Sequence, residues 1–593
     1  MATFDSQLLN TVLCHVQKIT GPFSEVPVCS QAPGLRIENN HLYCEDANTL
    51  ARGLFLWQAG KQHPELLPQG TETRHFASCG MMFDQSRNAV LRPDAVRRYI
   101  DISACLGMNM MMLYCEDTYT LTDYPAFGHL RGRYTREELT ALDAYAAEVG
   151  VELVPCIQTL AHLATFLTWP SSAGLRDQRD ILLIDEPETE ALIRAMIQEM
   201  RACFRSGRIH IGMDEAHGVG LGVWREKHGT EDRFALLNRH LAMVCNICAE
   251  YDFHPMMWSD MFFRLGSKHN EYYDREAVIP DSVIESLPDV DLVYWDYYHT
   301  EEDLYEHMLV QHERMGKPVF AGGIWTWSGF LPNIEKTRRT SMPALRVCAR
   351  HQVDTVFATL WEDDGAETSH ALAVSQFPYF SEFCWCGPDV REEHIRTVGA
   401  LVSGLDPRME DAYALFYPVD MDVASGKQLI WVDPFLPLTG LSSAQIALSE
   451  QRALEALEQM KGLPACPETE YTRMVFDVIV RKCHLLNRLR ADYTARDMPA
   501  LSADAAALRQ LAEAYRALHD AHRALWLRDC RRFGWEVLSQ RYGGSVQRLL
   551  DAADDLEQFV QGRLETMEEL EAPVLHEPHG YGHRALITAG EQW

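Results

Sequence analysis

Arg208-Ile209-His210-Ile211-Gly212-Met213-Asp214-Glu215-Ala216-His217 is a short apolar run that ends in two neighbouring carboxylates. It has the length of one strand, and its near-continuous apolar character suits a strand buried on both faces, as in a parallel sheet. Seven more runs of this kind lie around it: Phe76–Phe83, Met108–Tyr114, Val151–Ile157, His254–Trp258, Leu292–Trp295, Val319–Ile324 and Thr355–Trp361. Amphipathic stretches such as Arg136–Val149, Glu188–Phe204 and Phe234–Tyr251 separate them. Eight strand–helix alternations predict an α/β fold, a (β/α)8 barrel over residues 73–375. The polar and aromatic residues of interest follow the runs: Asp84, Glu116–Asp117, His162, Asp214–Glu215, Trp258, Asp296, Trp327 and Trp361. Barrels of this type build their sites on that carboxyl-terminal face.

Outward from the barrel the pattern changes. Residues 1–72 mix short apolar runs with turn residues and predict a small α/β domain. Residues 376–593 carry long helical patterns, Ser443–Lys461, Glu468–Tyr493, Ser502–Arg528 and Ser545–Leu570, and predict a mostly helical C-terminal domain. Pro464–Pro467 and Asp497–Ala500 mark the breaks between helices.

The net charge of −31, from 85 acidic and 54 basic residues, repels phosphate backbones and argues against nucleic acid as a partner. No apolar segment is long enough for a membrane helix, and the N-terminus reads as no export signal. Sixteen cysteines without regular spacing read as reduced thiols, so a cytoplasmic protein is expected. A homodimer is compatible with the sequence.

Adjacent residues of a regular strand point to opposite faces, so Asp214 and Glu215 act together only if the chain turns at the strand end. A pair of carboxylates capping a following helix would look the same in sequence. A glycosidase needs an acid beside the leaving oxygen and a second group to support an oxocarbenium-like centre. Two neighbouring carboxylates suit an arrangement in which one protonates the leaving group and the other holds a nucleophile supplied by the substrate.

His210, Gly212, Asp214 and Glu215 match the His-x-Gly-x-Asp-Glu signature of glycoside hydrolase family 20, which this stretch resembles. Met213 stands where many members have Gly or Ala. The resemblance implies substrate-assisted catalysis, an exception to the two-carboxylate scheme. Glu215 would be the general acid/base, and Asp214 would orient the 2-acetamido group whose oxygen attacks the anomeric carbon. An oxazolinium intermediate and net retention follow. The implied activity is that of an exo-β-N-acetylhexosaminidase acting on terminal GlcNAc or GalNAc of an oligosaccharide or glycoconjugate, without cofactor or metal.

Other segments are similar to the same family. Val154–His162 looks like its third-strand segment, so that His162 would support the pair. Gly80–Arg87 resembles its first strand, but Cys79 stands where many members carry an arginine that binds the sugar 3- and 4-hydroxyls. Asp84 or Arg87 would take that task. Trp258, Trp325, Trp327 and Trp361 would cage one sugar ring, since a pyranose has an apolar face. Asp296 and Asp363 would bind outer hydroxyls, and Tyr294, with Tyr298 second, would hold the acetamido oxygen. The wording of Tyr114–Tyr119 and Phe533–Gly544 looks like the intracellular-type branch of the family, with a helical C-terminal domain.

Two rival readings use the same barrel. One is a two-carboxylate retaining glycosidase pairing Glu215 with Asp260 or Glu362. The other is a hexosaminidase specific for 6-sulfo-GlcNAc. Cys245–Cys248 has zinc-ribbon spacing but no second pair, and Cys384-Trp385-Cys386 shows no partner in the sequence, so no metal site is expected.

Overall fold

The computed structural model describes residues 4–417, 425–438 and 441–575. The last residues assigned to the C-terminal domain, 576–593, lie outside the described residues. The N-terminal part is a three-stranded sheet, β1 (Val28–Gln31), β2 (Leu35–Glu38) and β3 (His41–Cys44), in the order β1-β3-β2, with helices Ser6–Thr20 and Ala47–Ala59. Asp5 and Asp46 cap these helices by accepting from backbone N–H groups of the first turn.

Eight parallel strands then close a barrel: β4 (Ser78–Asp84), β5 (Met110–Cys115), β6 (Glu152–Ile157), β7 (Arg208–His210), β8 (His254–Trp258), β9 (Asp291–Trp295), β10 (Pro318–Gly323) and β11 (Thr355–Leu360). All eight coincide with the apolar runs. The period of two explains why those runs are continuous. In β5, Met110, Met112 and Tyr114 fill the barrel, while Met111, Leu113 and Cys115 pack under the helices. The interior is thus a packed core, rich in Met low down and aromatic near the carboxyl-terminal mouth.

Past the barrel the chain is helical, with long helices Ser443–Gln459, Pro467–Ala495, Met498–Asp529 and Trp535–Val560. Three match the expected spans closely. The fourth begins ten residues before the expected start, because Gly543 and Gly544 do not break it. Buried Leu538, Tyr542, Val546 and Leu549 hold the helix through the two glycines, against a propensity cost of about 1 kcal/mol each. The N-terminal stop is instead Gly534, whose φ of 90° no ordinary residue adopts cheaply. Among the described residues no helix is long and apolar enough to cross a membrane.

Candidate active site

Strand β7 is three residues long, shorter than the run 209–213, and its early end builds the site. Gly212, Met213 and Glu215 all have positive φ, at 70°, 72° and 50°. This left-handed sequence breaks the strand alternation, so Asp214 and Glu215 both enter one cavity at the barrel mouth. Gly212 is required there, since a Cβ would lie 2.1 Å from Gln158 Oε1. The Met213 N–H donates to that same Oε1 at 3.1 Å, which ties down the strained turn.

The cavity encloses about 220 Å³ and is lined by Arg87, His162, Asp214, Glu215, Trp258, Trp295, Tyr297, Tyr298, Trp327, Trp361 and Asp363. Asp214 is buried deep in it. Its Oδ1 accepts from Gln158 Nε2 at 2.6 Å, and its Oδ2 lies 3.2 Å from His162 Nε2. Burial would raise the Asp214 pKa, but the His162 charge and these two donors hold it below the ordinary carboxylate range. Burial likewise opposes a charged His162, yet the Asp214 carboxylate raises its pKa to about 10. The two therefore form an ion pair at neutral pH. Glu215 is more exposed than Asp214. Its Oε1 accepts from Tyr272 Oη at 2.9 Å, its Oε2 lies 3.5 Å from His162, and its N–H donates to Asp260 at 3.0 Å.

Aromatic rings form the remaining walls. Trp258 and Trp361 stand at the base with ring centroids 6.1 Å apart, and Trp295 stacks on Tyr297 at 5.2 Å. The Tyr297 hydroxyl is buried at the cavity without a well-formed hydrogen-bond partner among the described residues. Opposite the carboxylate pair, the Arg87 guanidinium lies over the Tyr114 and Trp361 rings, 5.1 and 5.0 Å from their centroids. It faces Asp84, Glu116 and Asp363 at 3.3, 3.5 and 3.7 Å.

Two family profiles match the chain: the glycosyl hydrolase family 20 catalytic domain over residues 76–279, and the glycoside hydrolase 20C C-terminal domain over residues 422–583. The chain belongs to glycoside hydrolase family 20. It is an enzyme of that β-N-acetylhexosaminidase family, and its relatives accord with this. Hexosaminidase D of Bos taurus is 26% identical over 283 residues, covering 43% of this chain and 76% of the relative. Hexosaminidase D of Homo sapiens is 24% identical over 280 residues, covering 43% and 54%. Two solved structures share the fold with a TM-score of 0.50. The Flavobacterium johnsoniae chitobiase has 15% identity and covers 96% of this chain and 91% of its own. The Streptomyces plicatus N-acetyl-β-hexosaminidase in complex with Thio-NAglucal has 16% identity and covers 68% and 91%.

Within this family 20 site, several residues singled out in the sequence stand elsewhere than expected. Tyr294 faces the helices outside the barrel, packed against Tyr273 and His312, and donates to Asp296 at 2.9 Å. It alternates with Val293, which takes the inner face of β9. Asp296 does not line the cavity. It accepts from Tyr294, from the backbone N–H groups of Tyr298 and His299, and lies 2.8 Å from His299 Nδ1, so it shapes the turn after β9. Trp325 is buried behind Trp327, with ring centroids 4.3 Å apart, and supports that wall without forming it. Asp84 is also buried below the surface. It accepts from the N–H groups of Ser86, Arg87 and Glu362 and anchors Arg87. Cys79 points out of the barrel toward Phe380, so of Cys79 and Arg87 only Arg87 lines the cavity. Trp258, Tyr298, Trp327, Trp361, His162 and Asp363 do reach the cavity. The sequence reading missed Tyr297, Gln158 and Tyr272. The triplet Asp296-Tyr297-Tyr298 offered Tyr297 as readily as Tyr298, and only the turn chooses between them.

Proposed function

We propose that the enzyme is a retaining exo-β-N-acetylhexosaminidase that removes one terminal non-reducing GlcNAc or GalNAc, using the substrate's acetamido group as nucleophile. The observation that carries this reading is the entry of two adjacent, differently held carboxylates into one aromatic-walled cavity. Asp214, kept ionised and clamped by His162 and Gln158, suits the acetamido N–H as it becomes positive. Tyr297, with its unpartnered hydroxyl, suits the acetamido oxygen and holds it for attack on the anomeric carbon. Glu215, nearer solvent, protonates the leaving oxygen and then activates the water that opens the oxazolinium ion. Trp258 and Trp361 enclose the acetamido methyl, and Arg87 with Asp363 addresses the outer hydroxyls.

The two-carboxylate alternative finds little support. Asp260 sits behind the Glu215 backbone, and burial together with the Asp214 charge pushes its pKa up to about 8. Glu362 points away from the cavity toward His370, 3.1 Å distant. A 6-sulfate is disfavoured because Arg87, the one arginine lining the cavity among the described residues, already faces three carboxylates. A cytoplasmic location is our reading of the sixteen free cysteines, most of them buried. A thiazoline analogue of the oxazolinium ion tests the mechanism. We expect competitive inhibition far tighter than substrate binding. Inhibition no tighter than by free GlcNAc would overturn acetamido participation.

A further inference from the structure

At the amino-terminal end of the barrel, away from the cavity, the helix Pro378–Cys386 comes to rest beside the starts of β4 and β5. The His75 N–H donates to Cys384 O at 2.7 Å, and Trp385 Nε1 donates to Gly107 O at 3.1 Å. Glu382 and Cys386 lie one turn apart on this helix, and His394, from the helix Glu392–Ser403, meets them. The Cys386 Sγ–His394 Nε2 distance is 3.7 Å, Cys386 Sγ–Glu382 Oε2 is 3.6 Å, and His394 Nε2–Glu382 Oε2 is 3.0 Å. Tetrahedral zinc with ordinary bond lengths separates such ligand pairs by about 3.6, about 3.6 and about 3.4 Å. Two edges fit, and the third is shorter by the amount a direct hydrogen bond requires. Among the described residues no other His, Cys, Asp and Glu donors gather as tightly.

We propose that Glu382, Cys386 and His394 are the protein ligands of a zinc ion whose fourth position water would take. A thiolate, an imidazole and a carboxylate are a donor set zinc accepts. Arg52 donates to both Glu382 oxygens, at 2.8 and 2.9 Å, and fixes the carboxylate as outer partners of metal ligands do. An independent feature points the same way. Glu72 Oε2, which is not among the three donors that gather within ligand distance, is buried without a hydrogen-bond partner, and a zinc-bound water would supply one. A buried carboxylate oxygen without a donor is costly. The charges also close: zinc and Arg52 balance the two carboxylates and the thiolate. The ion would tie the helix Pro378–Cys386 to the helix Glu392–Ser403 that follows it. At this end of a barrel it bears on stability and not on turnover.

The test uses the full chain, loaded with zinc, desalted and analysed for metal, with cobalt(II) as a spectroscopic substitute. We expect about one zinc per chain, and with cobalt a thiolate charge-transfer band and the strong visible bands of a tetrahedral site. Cys386→Ser and His394→Gln should each abolish the bands and most of the bound zinc, while retaining hydrolysis of 4-nitrophenyl N-acetylglucosaminide. Chelator should lower the melting temperature of the unmodified chain and leave those of the variants unchanged. A folded wild-type chain that retains no zinc above a buffer blank overturns the proposal. So do cobalt bands that survive in Cys386→Ser.

Discussion

His162 Nε2 lies 3.2 Å from Asp214 Oδ2, and each group sets the charge of the other. The pKa of His162 is raised to about 10, so its contribution to stability is present in full below the ordinary value of 6.5 and is lost as pH rises through about 10. The pKa of Asp214 is lowered, so its contribution is present above 3.8 and is lost as pH falls through the depressed value. Between these limits the pair stays charged. His162→Gln removes the cation but keeps a side chain of similar size, and the Asp214 pKa should rise. The acid limb of kcat/KM should then move to higher pH by about one unit or more. An acid limb in its wild-type position, measured on a neutral substrate, would contradict the pairing.

Glu215 and Tyr272 should separate proton transfer from its tuning. Glu215→Gln should lower kcat on natural glycosides by about 10²–10⁴-fold, with a smaller loss on substrates whose leaving groups need no proton. Tyr272→Phe removes the hydroxyl that donates to Glu215 Oε1 at 2.9 Å. A hydrogen bond to a charged group is worth about 1.5–3 kcal/mol, so kcat/KM should fall about tenfold to a hundredfold, with a shift of the alkaline limb. If Glu215→Gln hydrolyses chitobiose at the wild-type rate, Glu215 is not the acid.

Tyr297→Phe keeps the ring that stacks on Trp295 and deletes only the orphan hydroxyl. If that hydroxyl holds the acetamido oxygen during attack, kcat should fall by about 10²-fold with little change in KM. Tyr294→Phe, outside the barrel, should leave kcat near wild type. Equal effects of the two substitutions would remove Tyr297 from the reacting centre.

The C-terminal helical region braces the segment that follows β11. Lys427 Nζ donates to the Asp363 carbonyl at 2.9 Å and pairs with Glu367 at 2.8 Å. Arg541 pairs with Glu367 and Asp364 at 3.0 and 3.1 Å, and Trp431 Nε1 donates to Glu367 at 2.9 Å. These contacts fix the segment after β11 that presents Trp361 and Asp363. Lys427→Met should raise KM about tenfold, through lost order in that segment, while kcat changes far less. A proportional fall in kcat with unchanged KM would mean that the loop is set some other way.

Much of this site was legible because the barrel's strands announce themselves as apolar runs, and a barrel has only one face for chemistry. The strand ends put Asp214, Glu215, His162, Trp258 and Trp361 at that face, and the family resemblance supplied the roles proposed for them. What could not be read was side-chain direction within a turn. Tyr294 is one residue from the inner face of β9, and one residue decides between cavity and helix layer. The departure from strand geometry at Met213 and Glu215 is equally invisible, since neither residue type favours positive φ. Gln158 illustrates the same limit: only the folded chain brings its amide to Met213 N and Asp214 Oδ1 together.

The shape of the cavity bears on the mode of attack. Trp258, Trp295, Trp327 and Trp361 wall a space of about 220 Å³. On the proposed reading one sugar ring fills it and no chain threads through. If Arg87 and Asp363, 3.7 Å apart, bind the sugar's 4- and 6-hydroxyls as proposed, a glycosyl group on O4 should be rejected. A buried polar group left without its hydroxyl costs about 1–3 kcal/mol, so a 4-deoxy sugar should lose about five- to a hundredfold in kcat/KM. Arg87→Met should reproduce that loss with the normal sugar and abolish most of the difference between the two substrates. On chitopentaose the wild-type enzyme should release monosaccharide from the first time point, with the tetramer as its partner product. Dimers and trimers appearing before the tetramer would show an open cleft and end the exo assignment.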